Sequence, residues 1–224
     1  MSDKRIVVAI DGPAGAGKST LAKRVAAKLG FIYINTGAMY RAVALWALRL
    51  NVATSDMHRL ERLALEADIA LTLEGRVLLN GEDVTEAIGD ANVAAAASEV
   101  SAVPGVRRAL LSVQRGLAEK SSVVMEGRDI GSVVFPEAQV KIFLDAEPAE
   151  RARRRALELE TSNIESVADE LSQRDHRDRT RAEAPLVQSP DAELIDTTGL
   201  SPEEVEAKIL QLVRARVSNG KLTR

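Results

Sequence analysis

Ile6-Val7-Val8-Ala9-Ile10-Asp11-Gly12-Pro13-Ala14-Gly15-Ala16-Gly17-Lys18-Ser19-Thr20 is the stretch that decides how this chain folds. Its first five residues form a continuous apolar run rich in β-branched side chains, as expected of a strand covered on both faces of a parallel sheet. Gly12 to Ser19 then match G-x-x-x-x-G-K-[ST] at every position. Behind the loop Leu21, Val25 and Leu29 recur at helical spacing, and Gly30 follows as a stop. A glycine-rich turn between a buried strand and a helix is the context in which this pattern holds phosphate. The glycines let successive N–H groups turn inward around an anion, and the helix starting near Lys18 points its positive end at the same place. Gly12, Pro13, Ala14, Gly15, Ala16, Gly17, Lys18, Ser19 and Thr20 are therefore the candidate ATP-binding residues. Lys18 is expected to bridge β- and γ-phosphate oxygens, and the Ser19 hydroxyl to ligate Mg2+.

Outward from this loop, strand and helix alternate. Phe31–Ile34 reads as a second strand, and Met39, Val43, Trp46 and Leu50 line one face of a helix ending near Asn51. Residues 56–67 read as a third helix. The period then changes: Ile69–Leu73, Val77–Leu79 and Val84 are separated by Glu74-Gly75 and Asn80-Gly81, and Asn-Gly between apolar runs predicts a hairpin. An alanine-rich helix at Ala91–Val100 follows. Pro104-Gly105 breaks it before another helix to about Glu119. Ser122–Met125 and Val140–Leu144 return to buried-strand character, and Pro148 suits the first turn of an arginine-rich helix. Thr161-Ser162-Asn163 interrupts before a helix from about Glu165 to Arg181. A final strand, Glu193–Ile195, leads to Ser201-Pro202-Glu203-Glu204, which has the form of a capping box, and Val205, Ile209 and Leu212 supply the last buried stripe. The pattern predicts an α/β P-loop NTPase fold. It has a doubly wound parallel sheet with helices on both faces, and a small antiparallel β-meander with helices inserted into it.

Composition narrows the chemistry. With 224 residues, 46% hydrophobic and 3% aromatic, the core must be built from Ala, Val, Leu and Ile. A net charge of −3 argues against general binding to nucleic acid or to an anionic membrane. No cysteine is present and only His58 and His176 represent histidine, which excludes thiol catalysis and leaves little for a histidine-rich metal site. Met1-Ser2-Asp3-Lys4-Arg5 leads into a run too short for a signal segment or a membrane span, so a cytoplasmic protein is expected.

The phosphate loop alone does not separate a kinase from a GTPase switch or a motor ATPase. No Asn-Lys-x-Asp run is present to read guanine. Asp196-Thr197-Thr198-Gly199 has the spacing of a switch loop but follows the last strand, and is read as its turn. Phe143-Leu144-Asp145-Ala146 ends in one acid where motor ATPases carry two. Arginine is what the chain offers instead. Tyr40-Arg41, Arg107-Arg108, Arg128-Asp129, Arg151 to Arg155, and Arg174-Asp175-His176-Arg177-Asp178-Arg179-Thr180-Arg181 stand in otherwise neutral segments. On a helix Arg174, Arg177, Asp178 and Arg181 share a face. Guanidinium forks bind phosphate bidentately, and phosphoryl transfer needs several such charges. The interleaved aspartates equally suit a solvated, salt-bridged helix.

Taken together and in order, Gly12–Thr20, Asn35-Thr36-Gly37-Ala38-Met39-Tyr40-Arg41, Glu126-Gly127-Arg128-Asp129-Ile130-Gly131, and Arg174–Arg179 followed by Ala184-Pro185-Leu186 resemble the bacterial cytidylate kinases, nucleoside monophosphate kinases of the P-loop class. The likeness spans nearly the whole chain and includes the Leu73–Asp83 hairpin, which is similar to the family's insert. Asn35 stands where many relatives have Asp. The resemblance implies phosphoryl transfer from ATP to CMP or dCMP. It also implies one kinase unit: a core of residues 1–65 and 120–224, a monophosphate-binding part of about 66–119 inserted into it, and an arginine-rich lid at about 150–165. Residue by residue, it implies that Thr36, Tyr40 and Arg41 help seat CMP, and that Arg41, Arg128 and Arg181 grip its phosphate. Ser101, Arg107 and Asp129 would read the cytosine, and Arg174 and Asp178 would lie near sugar and phosphate. Lys18, Arg128 and Arg181 are the implied catalytic residues.

The base assignment has chemical support. Cytosine shows an N4 amino donor beside acceptors, whereas uracil's O4 would face a carboxylate and be repelled. The rival readings are that Ser101 is an ordinary helix-end cap and that Asp129 orients Arg128. No side chain stands out as a general base, and an anionic CMP phosphate needs none. Uridylate, shikimate and adenylate kinases are the alternatives within enzymes, and a slowly hydrolysing regulatory module is the alternative outside them. The expected partners are CMP or dCMP and ATP, with no nucleic acid and no membrane. A monomer is expected because no apolar surface stripe is left over.

Overall fold

All five residues of β1 (Val7–Asp11) are buried, and they alternate between two cores. Val8 and Ile10 face one side, Val7 and Ala9 the other. The strand is central in a parallel five-stranded sheet. β2 (Ile32–Asn35) and β6 (Val123–Gly127) lie on one side of it, β7 (Val140–Asp145) and β8 (Glu193–Asp196) on the other, in the order β2-β6-β1-β7-β8. The register places Asp11 beside both Gly127 and Phe143, and Asn35 beside Glu126. Every strand thus delivers its carboxyl end to one edge, where ligands of such sheets bind. The computed structural model describes residues 5–72 and 74–218. The reading of Met1–Lys4 and the Leu73 end of the third apolar run fall outside them.

Against one face of the sheet pack α1 (Lys18–Leu29) and α8 (Pro202–Ser218). Gly30 ends α1 in a left-handed conformation, its N–H donating to the carbonyls of Ala26 and Ala27. The capping box forms as read: Glu204 N–H donates to Ser201 Oγ, while Ser201 N–H donates to the Glu204 carboxylate. The buried stripe of α8 is Val205, Ile209, Val213 and Val217; Leu212, assigned to it from sequence, is only half-buried, because a strict i+4 row continues to Val213.

A separate apolar cluster unites α2 (Thr36–Arg49), α3 (Met57–Glu66), β4 (Val77–Leu79), α4 (Ala91–Val100) and α5 (Pro104–Leu117). β3 (Ile69–Leu71), β4 and β5 (Glu82–Asp83) form the antiparallel meander. Leu79 pairs with Glu82 across Asn80 and Gly81, whose φ values of 51° and 83° make the tight turn predicted from that dipeptide. Val84 lies outside the strands but is buried. Leu50 departs from its expected place on the apolar face of α2. That helix stops at Arg49, and Leu50 caps it 48% exposed. α6 (Pro148–Glu158) and α7 (Ile164–Thr180) pack as a helical pair whose small residues reach Ala14 of the phosphate loop.

Candidate active site

The phosphate loop owes its shape to close backbone approach. Gly12 has φ 146°, and a Cβ there would fall 2.0 Å from the Leu144 carbonyl oxygen. Gly17, left-handed at φ 86°, starts α1 with no side-chain cap, so the first-turn N–H groups stay available to an anion. Lys18 is 6% exposed and folds back so that Nζ donates to the Pro13 carbonyl at 2.6 Å. Burial, reinforced by the nearby Arg128 guanidinium, pulls its pKa down to about 7. Ser19 and Thr20 are exposed at the mouth. Gly12, Pro13 and Ala16 are buried and shape the loop from behind, without lining the cleft in front of it.

That cleft, of about 450 Å³, runs from Ser19 and Thr20 across the sheet edge to α2, α5 and α7. All the residues to which the resemblance gave a substrate role line it: Thr36, Tyr40, Arg41, Ser101, Arg107, Arg128, Asp129, Arg174, Asp178 and Arg181. The Thr36 hydroxyl donates to the Glu126 carbonyl (2.7 Å), and Arg41 Nη1 donates to the Ile88 carbonyl (3.0 Å). The Arg107 guanidinium lies 5.4 Å from the centre of the Tyr40 ring, donates to the Ser101 carbonyl (3.1 Å), and forms a 2.6 Å ion pair with Asp129. Arg181 reaches the other Asp129 oxygen at 3.4 Å. Arg128 Nε donates to Asp178 at 2.8 Å. Burial pushes the Asp178 carboxyl up, but Arg128 and Arg174 outweigh it and hold the group below the usual range. Arg174 is half-buried, its enclosed Nε has no hydrogen-bond partner among the described residues, and burial brings its pKa down to about 10.

Several pairings differ from those read off the chain. Asp129 does not orient its neighbour Arg128, because Arg128 is held by Asp178 while Asp129 faces Arg107 and Arg181. Arg177 leaves the shared face, donating to Ser98 Oγ on α4. Arg181 stands one residue beyond α7, at its extended cap. Ser101 does act as the C-cap residue of α4, its hydroxyl donating to the Ser98 carbonyl, yet it also lines the cleft. Each arginine of α6 has a carboxylate partner. Arg151 pairs with Asp175, Arg153 and Arg154 with Glu150, and Arg155 with Glu158. Arg151 also donates to the Ala14 carbonyl, bracing the phosphate loop from beneath.

Asp11, Tyr33 and Glu126 received no role from the sequence. Glu126 is buried at the end of β6 and accepts from the Tyr33 hydroxyl at 2.6 Å. A charged residue closing an apolar strand run is the signal that could have singled out Asp11 and Glu126. The donor set in the cleft also bears on Mg2+. Ser19 supplies a hydroxyl and Glu126 a carboxylate, both hard oxygens, and among the described residues no three His, Cys, Asp or Glu side chains group to hold a metal. This fits an ion that enters with a nucleotide and keeps most of its ligands from phosphate and water.

Asn35 caps α2, its Oδ1 accepting from the Ala38 N–H at 3.2 Å. Asn and Asp cap about equally well, so Asn35→Asp is expected to leave unfolding free energy unchanged to within about 0.5 kcal/mol, and Asn35→Ala to lower it by about 1 kcal/mol. Denaturant titration separates the two. A large loss with Asp would mean that the side chain does more than cap.

The family model for cytidylate kinase matches residues 8–215 of the chain. A cytidylate kinase of Solibacter usitatus is 59% identical over 97% of this chain and 96% of its own length. Those of Desulfitobacterium hafniense and Pelotomaculum thermopropionicum are 48% and 49% identical, with coverage of at least 96% on both sides. A crystal structure of an uncharacterized protein from Eubacterium ventriosum superposes with a TM-score of 0.55 at 12% identity, covering 94% of this chain and 99% of that one, a likeness of fold alone.

Proposed function

We propose the assignments that follow from one premise: the chain belongs to the cytidylate kinase family. It is an ATP-dependent kinase that transfers the γ-phosphoryl group to CMP or dCMP, giving ADP and CDP or dCDP, with ATP used as its Mg2+ complex. The observation that carries the residue assignments is the cleft itself. It has a phosphate loop at one end and a buried carboxylate–guanidinium pair, Asp129–Arg107, beside the Tyr40 ring at the other.

The acceptor phosphate is an anionic nucleophile, so the residues have to align it and neutralise charge rather than remove a proton. Lys18 leaves the Pro13 carbonyl for the β- and γ-phosphate oxygens, and their negative charge restores its own positive one. Arg41, Arg128 and Arg181 hold the acceptor phosphate; Arg128 comes prealigned by Asp178, and Arg181 by Asp129. Thr36 and Tyr40 seat the nucleoside, Arg174 and Asp178 lie by sugar and phosphate, and Asp129, Arg107 and Ser101 read the base. Mg2+ supplies charge neutralisation along the triphosphate, and Ser19, with Glu126 close to it, would hold the ion. Catalysis rests on Lys18, Arg128 and Arg181.

The same reading divides the chain into a core (1–65 and 120–224), a monophosphate-binding part (about 66–119) and a lid (about 150–165). Support for the lid is that Arg155 and Glu158 line the cleft, so Arg155 can exchange one carboxylate for phosphate. The same reading makes the protein a cytoplasmic monomer; the net charge of −3 weighs against nucleic-acid partners, and among the described residues no helix is long and apolar enough to cross a membrane. The experiment is ATP turnover with CMP, dCMP, UMP, AMP or shikimate, and with no acceptor. CMP and dCMP are expected to be the fastest. Equal turnover without any acceptor, or a preference for AMP or shikimate, defeats the assignment.

A further inference from the structure

Asp11 is the last residue of β1, 6% exposed, and does not itself line the cleft. Its two carboxylate oxygens are taken up by two consecutive backbone donors: Ile130 N–H on Oδ1 at 2.8 Å and Gly131 N–H on Oδ2 at 2.7 Å. Those N–H groups open the single turn of π-helix at Ile130–Val134, and the two residues just before it are Arg128 and Asp129. A carboxylate deep in a protein is costly unless its oxygens are well bonded. Burial pushes the Asp11 carboxyl up to about 6, partly offset by these two N–H groups and by Lys18, and reinforced by Asp129. No ion pair within reach repays that cost among the described residues. An amide at this position would accept from one donor and turn its own N–H against the other.

The two ends of this contact differ in how they are held. β1 is locked by parallel pairing to β6 on one side and β7 on the other. Beyond Gly127 the following segment has left the sheet, so its backbone takes its position from other bonds. We propose that Asp11 is a positioning residue. By gripping the Ile130 and Gly131 amides from the fixed end of β1, it sets where Arg128 and Asp129 stand relative to the phosphate loop, and so tunes acceptor-nucleotide affinity without touching substrate. This rests on the reading that Arg128 and Asp129 face the acceptor.

Loosening this grip acts on one substrate. For Asp11→Asn the KM for CMP is expected to rise about tenfold, the loss typical of one charge-assisted hydrogen bond, with the KM for ATP within about twofold of its original value. A rise in both constants together would show general damage to the sheet edge and overturn the proposal, as would no change in either. Should the variant not fold, amide hydrogen exchange on the unaltered protein decides. Ile130 and Gly131 are expected to be protected by about 10³-fold or more before any nucleotide is added. Free exchange there would mean the segment is not held, and the proposal falls. Failure of the underlying reading has a different signature: Asp129→Ala and Arg128→Ala would then leave the KM for CMP untouched.

Discussion

Replacing Lys18 with Met is expected to lower kcat by at least about 10²-fold and, in the nucleotide-free protein, to raise the melting temperature. The loss of rate follows from where charge grows: Lys18 neutralises phosphate oxygens most strongly in the transition state, and a preorganised donor of that kind is worth about 10²–10³ in kcat. The gain in stability follows from burial. Lys18 sits 6% exposed with the Pro13 carbonyl as its one hydrogen-bond partner among the described residues, and its pKa falls from 10.5 to about 7. Between those two values the unfolded chain holds more protons than the folded one, so stability climbs as pH rises through that window. Below about pH 7 the cost of burying the charge is carried in full. Met fills similar space with no charge to bury, and each kcal/mol recovered lifts the melting temperature of a chain this size by about 2–4 °C. Thermal melts at pH 7 and at pH 10 check this, because the advantage of Met should shrink toward the higher pH. Near-normal turnover in the variant would remove Lys18 from the mechanism. A melting temperature that falls at both pH values would show that the Pro13 contact outweighs the buried charge.

How far the sequence could be read depended on whether a feature is local. The phosphate loop, the Asn80-Gly81 turn, the Gly30 stop, Pro104 at the start of α5 and the Ser201 box are set by a few neighbouring residues, and the structure has each where the pattern put it. The parallel sheet was legible because a strand buried on both faces has little choice but an apolar run. Long-range pairing was not. Arg128 and Asp129 are adjacent in the chain and invite a joint role, yet they stand in the bend that follows β6, where Asp129 has φ −146° and ψ 25°, and each side chain finds a partner on a different helix. Arg128 therefore meets Asp178 from α7, and Asp129 meets Arg107 from α5. The arginines of α6 look alike in sequence, but the helix turns Arg151 inward against Ala14 and Asp175 while Arg153 stays at the surface. Asp11 is an isolated acid ending an apolar run, and nothing beside it in sequence names the amides 119 and 120 residues away that it holds.

Substituting Asp129 is expected to change which pyrimidine the enzyme accepts. The carboxylate is 6% exposed, with Arg107 on one oxygen at 2.6 Å and Arg181 on the other at 3.4 Å, so lone pairs remain for a third donor. If that donor is the cytosine N4 amino group, Asp129→Ala removes a charge-assisted hydrogen bond of about 1.5–3 kcal/mol, and kcat/KM for CMP falls roughly ten- to a hundred-fold. For UMP the same change removes a repulsion between O4 and the carboxylate and frees the Arg107 guanidinium to donate to O4. The CMP/UMP ratio should therefore fall by more than the CMP rate alone. Asp129→Ala also strands two buried guanidinium groups, which costs stability. Asp129→Asn is the companion variant: it keeps the shape and offers O4 an amide N–H, and so should favour UMP further. If Asp129 instead only steadies Arg181 against the acceptor phosphate, the loss is shared, because that phosphate is common to both substrates. Steady-state kinetics with CMP and UMP on both variants decide between the two. A ratio equal to that of the unaltered enzyme takes Asp129 out of base recognition and leaves Arg107 and Ser101 to carry it.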